Sequence, residues 1–130
     1  MLNLYDVIYN IINPIVDSYA EHYPSDKKKV YPFAEINFPS VSENNEYSDL
    51  NQLYIDIWDN KSGQVKEIET ITDNLINAIL QGKNTNTVKT TDMLIQFSKD
   101  KPFRVKLEDS DINIQRRELR FILKVYGREE

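Results

Sequence analysis

The alternation of apolar and polar residues along the chain predicts more strand than helix. In the segment 53 to 58, Leu53, Ile55 and Ile57 alternate with Tyr54, Asp56 and Trp58, which is the period of two expected of a half-buried strand. The same period recurs in the segments 30 to 38, 93 to 97, 103 to 107 and 119 to 125. We therefore predict five strands, of which 53 to 58 has the clearest pattern.

Two segments instead carry apolar residues at spacings of three and four, the pattern of an amphipathic helix. The first is 3 to 20, where Pro14 predicts a kink or a second short helix beginning near Asn13. The second is 63 to 81. Gly82 follows it directly and is predicted to end the helix as the first residue beyond it.

The polar segments 21 to 29, 40 to 50 and 83 to 90 are predicted as connections, with 40 to 50 forming an exposed hairpin tip. The predicted order is helix, strand, strand, helix, strand, strand, strand. This order indicates one α+β domain over residues 1 to 130, with a mostly antiparallel β-sheet and two main helices packed on one face.

Composition narrows the possible functions. The 130 residues contain no cysteine, which excludes thiolate catalysis and cysteine-ligated metal sites within one chain. No apolar run approaches the roughly 20 residues needed to cross a bilayer, and the N-terminus lacks the basic region of a signal peptide. We expect synthesis in the cytoplasm and no membrane partner.

The sequence offers little catalytic chemistry. The only histidine, His22, lies in a polar loop. Asp56 alternates with core positions, so we expect it to face solvent or another subunit rather than the core. The cluster Asp109-Ser110-Asp111 lacks the central glycine and distal glutamate of a calcium-binding loop. We therefore predict that the protein is not an enzyme and that it has no catalytic, cofactor-binding or metal-binding residues.

Charge is distributed unevenly along the chain, whose net charge is -5. Acids predominate from residue 35 to 82, and lysines predominate from 83 to 106. The candidate interface or channel-facing residues are Glu43, Glu46 and Asp49 in the acidic part, and Lys99, Lys101, Arg104 and Lys106 in the basic part. Opposite charges at two places on a subunit suit head-to-tail contacts between copies, although solvated loops of mixed charge explain the pattern equally well.

The basic segment 99 to 106 reads as a hairpin or a hairpin arm with an aromatic residue between its cations. One interpretation is a surface facing nucleic acid. The other is an edge hairpin whose lysines prevent pairing with unwanted partners.

The order of elements resembles the tail-terminator or tail-completion proteins of long-tailed, siphovirus-type bacteriophages. The resemblance begins with the leading helix and the strand entry Tyr31-Pro32-Phe33, and continues through the polar hairpin tip and the strand 53 to 58. It extends over the Ser62-Gly63 break, the helix to Leu80, the basic region and the closing strand 119 to 126. The acidic tip from Glu43 to Asp49 has no counterpart in the family pattern.

The resemblance implies a virion protein that forms a homo-oligomeric ring, expected to be a hexamer, on the head-proximal end of the tail tube. Such a ring ends tube polymerisation and presents a surface to the head-tail connector. Its partners would be further copies of itself, the tail-tube protein, the connector protein and, in passing, DNA. A closed ring requires two different patches on each subunit that meet head to tail.

Two other functions fit the same sequence. A head-tail connector stopper or another neck protein shares the small size and ring assembly. A small nucleic-acid-binding module from outside phages would instead place several of the later lysines and Arg104 on one continuous face.

Overall fold

The computed structural model describes residues 2–45, 47–61 and 63–127, which form two helices and seven strands. In chain order they are α1 (Leu2–Ile12), β1 (Ser18–Ala20), β2 (Phe33–Asn37), β3 (Val41–Asn45), β4 (Ser48–Asp59), α2 (Lys66–Leu80), β5 (Thr85–Lys89), β6 (Met93–Leu107) and β7 (Gln115–Gly127). The strands form one sheet in the order β1-β2-β4-β7-β6-β5, and β3 also pairs with β4. Among the described strands, only β1 and β2 pair in parallel. The α+β class with a mostly antiparallel sheet is confirmed.

The first helix is shorter than the sequence pattern predicts. It ends at Ile12 rather than at residue 20, because Pro14 has no N–H with which to continue the helical bonds. The Asn13 side-chain oxygen then accepts a hydrogen bond from the backbone N–H of Ser18 at 3.1 Å, and β1 follows. The expected kink or second helix is therefore wrong: the helix stops and a short strand begins.

The second helix lies within the predicted segment. Beyond its last residue, Gln81 is left-handed with φ of 51° and donates its backbone N–H to the Asn77 carbonyl at 2.7 Å. Gly82 follows with φ of 76°, a conformation that costs glycine little because it has no Cβ. The predicted helix end at Gly82 is confirmed.

The polar segment 40 to 50 is a hairpin, as expected, but its arms are strands. Residues of β3 pair with the start of β4, with Ser42 opposite Leu50. Tyr47 stands near the tip with 75% of its surface exposed. The long β4 therefore extends beyond β2, and β3 pairs with that extension.

The segments predicted as two strands around Pro102 form one strand of 15 residues, β6. Its pairing with β7 shifts between Lys99, opposite Phe121, and Arg104, opposite Leu119. The extra residues form a bulge, which accommodates an insertion without ending the strand. Residues 99 to 106 therefore do not form a hairpin of their own, and the prediction that they belong to a hairpin arm is confirmed, because β6 and β7 are the two arms of one long antiparallel hairpin.

The segment 83 to 90, predicted as a loop, contains the edge strand β5. Asn86 in this strand is buried, and its side-chain N–H donates to the Ile79 carbonyl at 2.9 Å. A short polar edge strand has no run of alternating apolar residues, so its periodicity does not reveal it.

Both helices pack on one face of the sheet, and the core lies between the helices and that face. Apolar residues of α1, α2 and the four central strands form one buried cluster. Its fully buried members include Ile8, Ile12, Leu53, Ile55, Ile57, Leu75, Ile79, Ile95, Phe97, Leu119, Phe121 and Leu123. In the described part of the chain, no helix is both long and apolar enough to cross a membrane. The opposite sheet face, which neither helix covers, is called the open face below.

Candidate interaction surfaces

Arg104 is tied to the second helix. Its guanidinium lies 2.5 Å from a Glu69 oxygen and 2.7 Å from an Asp73 oxygen, and both acids belong to α2. The Arg117 Nε lies 2.5 Å from the other Glu69 oxygen. Burial by itself would raise the pKa of Glu69, but the hydrogen bond from Arg117 and the charge of Arg104 lower it below its usual range. The guanidinium of Arg104 thus helps to hold α2 against the sheet.

The three lysines predicted with Arg104 lie in different surroundings. The Lys99 Nζ stands 5.0 Å from the centre of the Phe103 ring, an arrangement that favours a cation. Lys101 is exposed within the bulge. Lys106 is exposed and lines a groove together with Glu108. The basic segment is therefore interspersed with aromatic and acidic neighbours.

The acidic candidates lie at the other end of the sheet. Glu43 and Asp49 are opposite each other across the β3–β4 hairpin, and both are exposed. Glu46, predicted with them, lies outside the described residues. Asp49 pairs with Val125 near the end of β7, whereas Lys106 pairs with Arg117 near its start. The structure therefore does not bring the acidic and basic candidates of one subunit together.

The open face carries a ladder of charged and aromatic side chains across β4 and β7. Its three successive cross-strand pairs are Tyr54 with Arg120, Asp56 with Glu118, and Trp58 with Arg116. The Arg120 guanidinium lies 4.9 Å from the Tyr54 ring centre, and that of Arg116 lies 4.6 Å from the Trp58 ring centre. Each end of the ladder is thus a cation stacked on an aromatic ring.

The middle pair of the ladder consists of two acids. Burial, followed by the hydrogen bond and charge of Glu118, raises the pKa of Asp56 to about 8. Glu118 accepts a hydrogen bond from the Arg120 Nε at 2.5 Å. Burial would raise the pKa of Glu118, but its hydrogen bonds with Asp56 and Arg120 lower it. At neutral pH the pair therefore carries one proton, and Asp56 is the acid that holds it.

The sequence placed Asp56 on the correct face but missed its surroundings. We expected an acid facing solvent or another subunit, whereas Asp56 is half-buried and its Oδ1 is enclosed. Its neighbour Glu118 was not singled out. The alternation in β7 indicates which face Glu118 occupies, but only the register of the two strands makes it the partner of Asp56.

One corner of the open face is closed by aromatic residues. Phe33 stacks on Trp58 with ring centres 5.2 Å apart, and Tyr23 packs on the Phe33 ring at 4.7 Å. The Tyr23 hydroxyl donates to the Lys28 carbonyl and accepts the Val30 N–H, both at 3.1 Å. These bonds fold the connection between β1 and β2 onto the sheet.

The acids between β6 and β7 serve the turn. Asp109 accepts the backbone N–H of Asp111 at 3.0 Å, and Asp111 accepts that of Asn113 at 2.9 Å. Such bonds are typical of Asx turns. Among the residues that the structure describes, no group of three or more histidine or acidic side chains is placed to hold a metal ion.

Comparison with known proteins identifies a shared fold. No family model matches the sequence, and no curated protein matches it. Among solved structures, the chain is similar to a chain of the "Virion of native gene transfer agent (GTA) particle", with a TM-score of 0.58 and 11% sequence identity. The match covers 93% of this chain and 85% of that chain. This protein therefore has the fold of a chain that occurs in the virion of a gene transfer agent.

Proposed function

We propose that this protein is a structural component of a phage-like virion and that, within the virion, it is the tail terminator. The observation that carries the proposal is the likeness in fold to a chain of a gene transfer agent virion, which extends over nearly the whole of both chains. The order of elements that resembles tail terminators adds the specific role.

In this role, copies of the protein form a ring, expected to be a hexamer, on the head-proximal end of the tail tube. One side of the ring contacts the tail-tube protein and stops its polymerisation. The other side contacts the head-tail connector, and DNA passes through the ring. The role is one of assembly and not of catalysis.

The surroundings of the cations favour this proposal over a nucleic-acid-binding module. A module of that kind neutralises phosphates with a continuous basic face. Here Arg104 and Arg117 are both held by Glu69, and Lys106 lines a groove with Glu108. The ion pairs of Arg104 and Arg117 with Glu69 reduce the positive charge that this part of the sheet presents to a polyanion.

The proposal is tested by mixing the purified protein with tail-tube subunits of the same phage. Its mass in solution is measured at several concentrations, and the tubes are examined by electron microscopy. Tubes of limited length that end in a ring of this protein are expected. Tubes that grow to the same lengths with and without it would reject the terminator role, and binding to the connector alone would indicate another neck protein.

A further inference from the structure

Two strands, β3 and β5, are free edges at the same level of the sheet. Within residues 2–45, 47–61 and 63–127, β5 pairs only with β6, and β3 pairs only with β4. One row of paired residues crosses the sheet from edge to edge: Ser42, Leu50, Lys124, Gln96 and Thr87. At this level the sheet therefore consists of five strands, and Ser42 at one outer edge and Thr87 at the other belong to the same row.

The outer edge of β3 presents backbone groups that the sheet does not use. The Gln52 N–H donates to the Ser40 carbonyl at 3.0 Å, so these residues form a hydrogen-bonded pair. Hydrogen-bonded and non-hydrogen-bonded pairs alternate along an antiparallel ladder. The backbone N–H and C=O groups of Val41 and Glu43 consequently point away from β4.

The same reasoning applies to β5. The Thr90 N–H donates to the Met93 carbonyl at 2.9 Å, which makes this pair hydrogen-bonded. By alternation, the backbone groups of Thr87 and Lys89 point away from β6. Each edge therefore offers a short row of donors and acceptors to another strand.

The two edges carry charges of opposite sign. Glu43 and Asp49 lie in the β3–β4 hairpin, whereas Lys83 and Lys89 lie beside and within β5. Contact between two copies of the β3 edge brings the acids of both copies close together, which is unfavourable, whereas contact between unlike edges sets the acidic hairpin beside a strand that contains Lys89. Glu43 lies on the helix-covered face and Lys89 on the open face, so the contact between unlike edges is favoured by the net charge of each edge and not by a direct ion pair.

We propose that β3 of one copy pairs with β5 of the next copy, so that the sheet continues from subunit to subunit around the ring. The strands β3, β7 and β5 run in the same direction, because each adjacent pair in the row is antiparallel. Copies related by rotation about an axis along the strands therefore pair β3 and β5 in parallel. This contact is head to tail, as ring closure requires, and adds strand to strand through backbone hydrogen bonds.

This inference rests on the proposed ring-forming function and specifies its subunit contact. In the contact that we propose, Ser42 of one copy lies opposite Thr87 of the next, because both residues belong to one row of pairs across the sheet. Both side chains are exposed, and both lie on the open face because they belong to one row of pairs. Their Cα atoms would lie within the 4.4–6.8 Å that a disulfide spans.

Disulfide crosslinking tests the contact, since the natural chain has no cysteine. The double variant Ser42→Cys with Thr87→Cys is assembled on tail tubes, oxidised and examined on a non-reducing gel. A ladder of covalent oligomers up to the full ring is expected. The matched control, Ser110→Cys with Thr87→Cys, places one cysteine in the exposed β6–β7 turn at the other end of the sheet and should remain monomeric.

The single variants distinguish the symmetry of the contact. Ser42→Cys alone and Thr87→Cys alone should each remain monomeric, because a head-to-tail contact brings unlike edges together. Efficient dimers of either single variant would show that like edges pair about a two-fold axis, and would overturn the proposal.

A backbone substitution provides a second test. Thr87→Pro removes the outward N–H without removing a bond to β6, which is where an edge strand tolerates proline. We expect at least tenfold weaker assembly with an unchanged circular dichroism spectrum, whereas Thr87→Val, which keeps the N–H, should assemble as the natural protein does. Normal assembly of a folded Thr87→Pro variant would contradict the edge contact.

The outcomes separate this inference from the proposed function. Rings on tube ends that give no covalent ladder would overturn the edge contact and leave the terminator role intact. A covalent ladder from protein that does not limit tube length would support the contact and reject the terminator role. The absence of both rings and ladder would overturn both.

Discussion

Replacement of Asp56 by asparagine is expected to stabilise the protein at neutral and alkaline pH. Asp56 faces Glu118 across β4 and β7, and Glu35 of β2 lies on its other side. Arg116 partly offsets these negative charges, yet the pKa of Asp56 is raised to about 8. An asparagine amide can donate to Glu118 as the protonated acid does, without having to retain a proton.

The sign and size of the effect follow from proton linkage. The folded protein keeps the Asp56 proton up to pH of about 8, whereas the unfolded chain loses it near pH 4. The natural protein therefore loses stability as the pH rises from about 4 to about 8. At roughly 1.4 kcal/mol per pKa unit, the cost at pH 7 has a ceiling of about 4 kcal/mol. Solvent screening at this half-buried side chain reduces the expected gain to about 2 kcal/mol.

The assay is urea unfolding of Asp56→Asn and the natural protein between pH 5 and 8.5, at a concentration at which both are monomeric. The difference in the free energy of unfolding should be small at pH 5 and should grow to about 2 kcal/mol at pH 8.5. The matched control is Asp49→Asn, which changes an exposed acid of the same strand. This control should show no comparable growth.

One result would refute the reasoning. If Asp56→Asn is less stable than the natural protein at pH 8, or if the difference does not change with pH, the acid pair does not retain a proton. A conventional ion pair with Arg116 would then describe Asp56 better.

Three further predictions concern the helix and its neighbours. Arg104→Glu should lower the free energy of unfolding by about 2 kcal/mol, because it sets a carboxylate against Glu69. The control, Lys101→Glu in the exposed bulge, should change it by less than about 0.5 kcal/mol. Equal effects of the two variants in chemical denaturation would contradict the role of Arg104 in holding α2. Asn86→Ala should cost about 1–2 kcal/mol by leaving the buried Ile79 carbonyl without its donor, and a neutral result in the same assay would mean that another donor replaces the amide. The lowered pKa of Glu69 stabilises the fold above the usual glutamate pKa near 4.5, and this stabilisation is lost as the pH falls through the pKa of Glu69 in the folded protein. The stability of Glu69→Gln should therefore decline less steeply in acid than that of the natural protein. An unchanged decline would mean that other groups cause the loss of stability in acid.

Much of the fold could be predicted because its signals are local. The alternation around Ile55 and the helical spacing before Gly82 are each set by whether a residue faces the core, and both elements occur where predicted. Pro14 was recognised as a disturbance, but a proline can kink a helix or end it. In this protein α1 ends before Pro14, and the chain continues as β1, which pairs with β2.

The candidate site could be predicted only in part, because charge along a sequence does not reveal the partner of each charge. The sequence allows two interpretations of the cations near residue 100, a surface facing nucleic acid or an edge hairpin protected by lysines. The bulge between Lys99 and Arg104 instead accompanies a register in which Arg104 reaches α2. The acids Glu43 and Asp49 are exposed at a hairpin, as their polar surroundings indicated.

The sequence by itself determined the type and approximate position of the two helices and of the long strands, the apolar composition of the core, and the face on which Asp56 lies. The tertiary structure alone decided that Asp56 is opposite Glu118, and that Ser42 and Thr87 lie at one level on opposite edges of the sheet. The physical reason is that the period of apolar residues shows which side chains face the core and which face solvent. Which residues lie opposite each other depends on hydrogen bonds and packing between strands that are distant in sequence. A shift of two residues in that register would keep every side chain on its face of the sheet and give it a different set of neighbours.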